Sequence, residues 1–387
     1  MTMNGMNRIV RAELLALTCL LLAGCTGSIA HLHPFEGTRA VACSDTPSGD
    51  AIELTYLGVG GFLMKWNGHV ILTAPFYSNP GLLQVGVGWP IAPNTTRIDA
   101  HLPPMDDVEA MLVGHAHYDH LMDAVYVAET HATHAVLYGN ETMAHILASR
   151  ERLRGRVVAL DADAGDWWQP GRWQYVADRS IRFMALRSEH APHFLGIKMF
   201  GGSLDEDQDR LPRTAYGWKE GQTFAFLIDF LGADGRVRLR LHYQDAGSNP
   251  PAGFVPPPDS AAAEPVDVAV LCVASFGQVD DYPEAIVRQL QAQIVVLGHW
   301  ENFFRSPDLP LEAVPLTDTK TFALRLTDAL PAGARWYTPR PDATLRICAH
   351  RWSEPWDAGR GGAGSDQKER ELPAAFRGVS EGRNSNQ

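Results

Sequence analysis

The chain has 387 residues, of which 45% are hydrophobic and 20% are charged. These fractions are typical of a globular protein with a sizeable core, and the length allows one large domain or two modest ones. The formal net charge is −12, and lysine and arginine do not form blocks. This charge argues against a nucleic acid as partner.

The N-terminus has the pattern of a leader peptide. Arg8 and Arg11 precede a short apolar run over residues 14–23. The run is too short for a transmembrane helix, and a basic start followed by such a run is typical of a signal peptide.

The leader ends in the residues Leu-Ala-Gly-Cys, of which the last is Cys25. This ending resembles the bacterial lipobox. The resemblance implies a lipoprotein signal peptide over 1–24 and a lipid on Cys25 that anchors the chain at a membrane. Thr26 follows in place of an aspartate, which favours the outer membrane, facing the periplasm. An ordinary signal peptide cleaved nearby is the alternative.

Residues 25–50 are small and polar, and we expect them to form a tether between the anchor and a domain. Cys43 and Cys348 flank the two ends of that domain. In an oxidising periplasm they could pair, which we state as a hypothesis. Cys272 lies in the apolar run over 268–273, where a role as a small core hydrophobe is expected.

The domain is expected to begin at residue 51 with alternating strands, and Asn67-Gly68 is a strong hairpin signal between two of them. Residues 76–104 are rich in proline, glycine and asparagine. They are predicted to form a loop and a candidate substrate-binding flap. Further along the chain, predicted strands alternate with predicted helices. Asn140 is the expected N-cap of one of these helices. This alternation fits the second half-sheet of an αββα sandwich.

A cluster of metal-binding residue types follows the apolar run Met111-Leu112-Val113. It contains His115, His117, Asp119 and His120 within six positions. His115 and His117 are two apart, so an extended backbone would point both to the same side. Asp119 and His120 are predicted to lie at the turn before a helix that starts near Leu121. Nitrogen and oxygen donors placed in this way suit a cation such as Zn²⁺.

The segment His-x-His-x-Asp-His resembles the signature of the metallo-β-lactamase fold superfamily of metal-dependent hydrolases. Within that superfamily, the chain resembles the branch of N-acyl-phosphatidylethanolamine phospholipase D and ascorbate-6-phosphate lactonase. The resemblance implies an α/β fold, a four-layer αββα sandwich, over residues 51–352. One departure is Thr73-Ala74-Pro75, where the family usually has a supporting aspartate before the proline.

Three later residues match the family's remaining metal ligands, each placed just after a predicted strand. His190 resembles the third histidine ligand, with His193 as the competing candidate. Asp245 resembles the carboxylate that bridges two metals. His299, in Gly-His-Trp, resembles the last histidine of the phospholipase D-like branch.

The resemblance therefore implies two zinc ions per chain, with iron or manganese as alternatives. One ion would be held by His115, His117 and His190. The other would be held by Asp119, His120 and His299, with Asp245 between them. The two cations would share a nucleophilic hydroxide, which Asp119 would orient.

Three functions follow as hypotheses: hydrolysis of a phosphodiester or phospholipid-like molecule, hydrolysis of a lactone or other cyclic ester or amide, and non-catalytic metal binding by a lipoprotein. The partners expected are a small-molecule or lipid-like substrate and the membrane, but no nucleic acid. Beyond Trp352 the chain is rich in glycine and charge, so residues 353–387 are predicted to be a disordered tail.

Overall fold

A computed structural model describes residues 27–41, 43, 51–176, 178–257 and 264–349. The helices are α1 (Leu82–Val87), α2 (Thr95–His101), α3 (Tyr118–Thr130), α4 (Glu141–Leu147), α5 (Glu284–Leu290) and α6 (Thr319–Ala329). The strands are β1 (Thr38–Val41), β2 (Ala51–Gly58), β3 (Gly61–Trp66), β4 (His69–Thr73), β5 (Val108–Leu112), β6 (Val136–Gly139), β7 (Val157–Ala159), β8 (Gln174–Tyr175), β9 (Ile181–Ser188), β10 (Thr223–Leu231), β11 (Val237–Gln244), β12 (Val268–Cys272), β13 (Ile294–Gly298), β14 (Arg335–Tyr337) and β15 (Thr344–Cys348).

The strands form two mixed sheets. The order in the first is β1-β15-β2-β3-β4-β5-β6-β7, and the order in the second is β14-β13-β12-β11-β10-β9-β8. Strands β4 to β7 pair in parallel in the first sheet, as do β11 to β14 in the second. Parallel strands end at the same edge of a sheet, so residues that follow them gather there.

Successive side chains along a strand point to opposite faces of its sheet, and this divides the core into layers. On β5, Ala110 and Leu112 belong to the cluster between the two sheets, whereas Met111 packs with the helices α3 and α4. Helices α5 and α6 contribute Ile286 and Phe322, which extend the same inter-sheet cluster across the second sheet. A strand buried on both faces is expected to be apolar, as β5 is from Ala110 to Leu112. The predicted four-layer αββα sandwich is confirmed.

The described part of the predicted tether is built into the domain. Strand β1 pairs in parallel with β15, with Thr38 opposite Thr344, and both Leu32 and Phe35 are buried. Within the predicted tether over 25–50, residues 30–41 therefore pack onto the domain. The small, polar composition of this segment does not indicate its two buried apolar residues or its short edge strand.

Three other predictions concern residues that the structure does not describe: the signal peptide over 1–24, the lipid on Cys25 and the tail over 353–387. Among the described residues, no helix is both long and apolar enough to cross a membrane.

Two local expectations need correction. Residues 76–104 contain the short helices α1 and α2, and the side chain of Asn94 caps α2 by accepting from the backbone of Arg97. Arginine alternates with apolar residues along β11, a pattern that predicts a solvated edge, but Arg240 is buried and lies 2.6 Å from Asp229 on the neighbouring strand β10. The sequence around Arg240 does not indicate that Asp229 is its partner.

The hypothesis that Cys43 and Cys348 pair is confirmed, since the two sulfur atoms are bonded. The bond ties the segment after β1 to the end of β15. Cys272 is a buried free thiol, as expected of a core residue.

Opening this bond should destabilise the domain. We expect Cys43→Ser to lower the free energy of unfolding by about 2–5 kcal/mol, because a cross-link over so long a loop restricts the unfolded chain. Guanidinium denaturation monitored by tryptophan fluorescence measures this. In denaturant alone, Cys272 should be alkylated while Cys43 and Cys348 react only after reduction. Free reaction of all three without a reductant would contradict the bond.

Candidate metal centre

The segment after β5 forms the centre of the site. His115 and His117 are buried, and His117 is the N-cap of helix α3. The helix begins three residues earlier than predicted, at Tyr118, so Asp119 and His120 lie in its first turn. A strand followed at once by a helix therefore directs all four side chains into a small volume.

The structure brings together all seven residues predicted as metal ligands. They form three overlapping groups, and within each group the potential ligand atoms lie within 4.8 Å of one another. The groups are His115, His117 and His190; His115, His120 and Asp245; and Asp119, His120 and His299. The middle group shares one histidine with each of the other two, which is the arrangement expected of two adjacent cation sites.

Asp245 lies between the two outer groups. Its carboxylate oxygens are 3.3 Å from Nδ1 of His115 and 3.2 Å from Nδ1 of His120. Backbone passes close to this carboxylate at Gly114, where a Cβ atom would lie only 2.5 Å from both oxygens. Glycine is therefore required there, since any side chain would displace Asp245.

Asp119 connects the two histidines of the third group. Its Oδ2 atom lies 3.6 Å from Nε2 of His120 and 3.4 Å from Nε2 of His299. Burial alone would raise the pKa of Asp119, but His120 and a hydrogen bond from His299 outweigh burial and lower it. The carboxylate is therefore ionised at neutral pH.

Hydrogen bonds distinguish His190 from His193. Nδ1 of His190 lies 2.6 Å from the carbonyl oxygen of Ala191 and must donate to it, which leaves Nε2 with a free lone pair. Nδ1 of His193 instead accepts from the backbone N–H of Met199 at 3.1 Å. Neutral His193 then carries its proton on Nε2 and cannot offer that atom to a cation. The tautomers favour His190 as the ligand.

The imidazoles of the first group are held neutral. Burial, followed by the neighbouring histidines, lowers the pKa of His117 and of His190 well below the ordinary value. Burial opposes charge on His120 as well, but Asp245 and Asp119 outweigh it and raise the pKa of His120. A cation entering the first group would not have to displace protons from His117 or His190 at neutral pH.

Several buried ring nitrogens have no hydrogen-bond partner within the described chain. They include Nε2 of His115 and of His117 and Nδ1 of His299. Buried polar atoms without partners are costly, so their concentration in one place is informative. Imidazole and carboxylate donors without thiolate suit zinc, iron or manganese at a site that retains open positions. The residues present therefore fit a pair of such cations.

Thr73, at the end of β4, fixes a turn beside the site. Its hydroxyl donates to the carbonyl oxygen of Gly60 at 2.5 Å and accepts from the N–H of Phe62. Tyr243 donates to the same carbonyl at 2.6 Å. A Cβ at Gly60 would lie 2.7 Å from Nδ1 of His120. Thr73 thus fixes the turn that packs against a candidate ligand.

Sequence reasoning missed a second supporting group formed by Tyr56 and Glu301. The Tyr56 hydroxyl donates to Glu301 and accepts from the backbone N–H of His299 at 2.9 Å. Glu301 also accepts from the N–H of Val59. His299 has a φ of 52°, a left-handed conformation that is uncommon outside glycine. This network holds the strained residue in place.

His242 is a buried histidine outside the site. Its Nε2 atom donates to the carbonyl of Gly253 at 2.8 Å, and burial lowers its pKa to about 4. Because side chains alternate along β11, His242 points away from the face that carries Tyr243 and Asp245. It serves as a structural residue that binds the loop after β11.

No protein-family model and no curated protein matches the sequence. Solved structures with a similar arrangement include a metallo hydrolase from Ignicoccus hospitalis, with 14% identity and a TM-score of 0.45 over 76% of this chain and 98% of that one. A metallo-β-lactamase fold protein from Bacillus subtilis has 12% identity and a TM-score of 0.42 over 77% and 99% of the two chains. A diiron β-hydroxylase from Streptomyces venezuelae has 16% identity and a TM-score of 0.43, over 78% of this chain and 55% of its own.

Metal content should separate the two candidate third histidines. We expect about two ions per chain for the unaltered protein, about one for His190→Asn and about two for His193→Asn, because only His190 has a free lone pair at Nε2. Elemental analysis after dialysis against a weak chelator gives the count. The reverse ranking of the two variants would assign the ligand to His193.

Acid should destabilise the chain through His242. Between about pH 6.5 and pH 4 the unfolded imidazole binds a proton that the folded one excludes, so stability is lost as the pH falls through this range. In metal-free protein, His242→Gln should reduce the loss between pH 7.5 and pH 4.5 by about 2–3 kcal/mol. Urea denaturation at both pH values measures it. Equal losses in both proteins would show that His242 is not protonated on unfolding.

Proposed function

We propose that the protein is a metal-dependent hydrolase with two cations per chain and a phosphodiester or phospholipid-like substrate. The observation that carries the proposal is the overlap of three groups of histidine and aspartate side chains around Asp245. Cations bound there would lower the pKa of an attacking water and polarise the scissile phosphoryl or carbonyl group.

The residues of the chain have distinct roles in this proposal. Asp119 is ionised and about 7% exposed, so it can orient the attacking water and accept its proton. His193 is half-buried beside His190, with ring centroids 4.7 Å apart. Burial lowers its pKa to about 4, so at neutral pH it is a neutral N–H donor that can bind a substrate oxygen.

An amphiphilic substrate is supported by the apolar rim next to these residues. The backbone N–H of His193 donates to the carbonyl of Ile197, so the short turn between them lies beside the candidate metal ligands. The turn exposes Leu195 by 74% and Ile197 by 59%. Exposed aliphatic side chains at the mouth of a polar site are suited to the apolar part of a substrate.

We also propose that the protein works in the bacterial cell envelope, anchored by a lipid on Cys25 at the outer membrane and facing the periplasm. The bond between Cys43 and Cys348 supports an oxidising compartment. The leader pattern and the lipobox-like ending support export and anchoring.

The activity is tested with bis-(p-nitrophenyl) phosphate and a panel of lactones, using zinc-loaded protein. We expect turnover of the phosphodiester, and we expect Asp119→Asn to lower kcat/KM by at least about 100-fold while the thermal unfolding midpoint changes little. The exposed Asp106 provides a matched control, since Asp106→Asn removes a carboxylate of the same type outside the site.

Each alternative predicts a different outcome of this assay. Hydrolysis of lactones but not of the phosphodiester would replace the substrate class and retain the enzyme. Two bound metals without any turnover would favour the non-catalytic metal-binding protein. Full activity of Asp119→Asn would defeat the role assigned to that carboxylate.

A further inference from the structure

A second cavity lies apart from the candidate metal ligands. It has a volume of about 520 Å³ and is formed by the loops that follow β2, β4 and β13, together with the turn before β15. Volumes of a few hundred cubic ångströms are typical of sites for small organic molecules. None of the seven candidate metal ligands lines it, so the hydrolytic site does not account for it.

Four polar side chains that line this cavity have unsatisfied atoms, namely the Tyr77 hydroxyl, the Asn79 side-chain oxygen, and Nε of Arg305 and of Arg340. The Tyr77 residue is only 3% exposed, and its hydroxyl has no hydrogen-bond partner within the described residues. The side-chain oxygen of Asn79 is buried and unpartnered as well. The Tyr77 ring is fixed against His101, with a ring distance of 6.2 Å. Buried polar atoms of this kind are normally satisfied, so they indicate that a partner binds here.

The lining of the cavity has an excess of negative charge. Five carboxylates face two arginines, and these are Glu36, Glu301, Asp308, Glu312 and Asp342 against Arg305 and Arg340. Both arginines already form ion pairs inside the lining, Arg305 with Glu312 and Arg340 with Glu36. The net excess therefore remains with the other carboxylates.

Asp342 is the carboxylate best placed to receive a cation. Among the described residues, no arginine or lysine forms an ion pair with it, whereas Asp308 is paired with His101 at 3.0 Å. Glu301 is already engaged by Tyr56 and by the backbone of Val59. The cavity also has apolar walls at Leu57 and Phe76, which an aromatic or aliphatic body can contact.

We propose that this cavity binds a small organic ammonium ion with an apolar body. Its charged end would lie against Asp342 and donate to the oxygens of Tyr77 and Asn79, and its body would cover Leu57 and Phe76. An anion of the same shape would be repelled by the surplus carboxylates. The inference does not rest on the proposed hydrolase activity, because none of the residues that would contact the ammonium ion is a candidate metal ligand.

The test is calorimetric titration of the full-length protein with 2-phenylethylamine, which is an ammonium ion at pH 7. The matched probes are 2-phenylethanol, which has the same body without charge, and phenylacetate, which is an anion. We expect saturable binding of the amine alone, with or without added zinc. Asp342→Asn should weaken that binding by about tenfold, because a charge-assisted hydrogen bond becomes a neutral one. Tyr77→Phe should weaken it several-fold.

The variants are chosen to leave the fold unchanged. Asp342 has a φ of 69°, and asparagine is among the residues that tolerate this conformation. Tyr77→Phe removes only an unpartnered hydroxyl, and Glu206→Gln removes an exposed carboxylate elsewhere as the charge control. Equal binding of the amine and the alcohol would overturn the proposal. So would undiminished binding by Asp342→Asn, or no saturable binding up to about 10 mM amine.

Discussion

The rest of the structure depends on keeping seven ionisable side chains together at one edge of a two-sheet sandwich, with all of them buried except the half-buried His190. Imidazoles and carboxylates lose hydration when they are buried, and that loss has to be offset by partners. Asp245 offsets part of it between His115 and His120, and Asp119 does so between His120 and His299. The ring nitrogens that remain unpartnered offset the rest only when they bind cations.

The sheet topology and the close approach of the backbone bring these side chains together. Segments that follow β5, β11 and β13 converge because the parallel halves of both sheets end at the same edge. Gly114 and Gly60 then allow the backbone to lie against Asp245 and His120. Tyr56, on the first sheet, reaches Glu301 and the backbone of His299, which follow the second. The hydrogen bonds of Tyr56 beside the site therefore connect the two sheets.

Local spacing was sufficient to predict part of this arrangement. The pattern of His115, His117, Asp119 and His120 after an apolar strand places four donors together whatever the remaining chain does. The αββα layers followed from alternation and from the resemblance to a known family. His190, Asp245 and His299 came from that resemblance, because each is a single residue after a strand and has no local signal of its own.

The rest depended on contacts between distant parts of the sequence. Tyr56 and Glu301 are 245 positions apart, and nothing near either residue predicts their hydrogen bond. The choice between His190 and His193 depended on which backbone group each ring contacts. Arg240 looked solvated because its partner, Asp229, lies on another strand. Polar composition likewise concealed that residues 30–41 pack onto the domain.

The pairing of β1 with β15 determines when the domain can be completed. Thr38 lies opposite Thr344, and Cys43 is bonded to Cys348 across a separation of 305 positions. Among the strands of the described residues, the first must therefore stay unpaired until the last has emerged. Contacts between such distant segments slow folding, because a long loop must close before any stabilisation is gained. Completion of this sheet is thus a late, post-synthetic event, and the exposed edges of β2 and β15 need protection from association with other chains until it occurs.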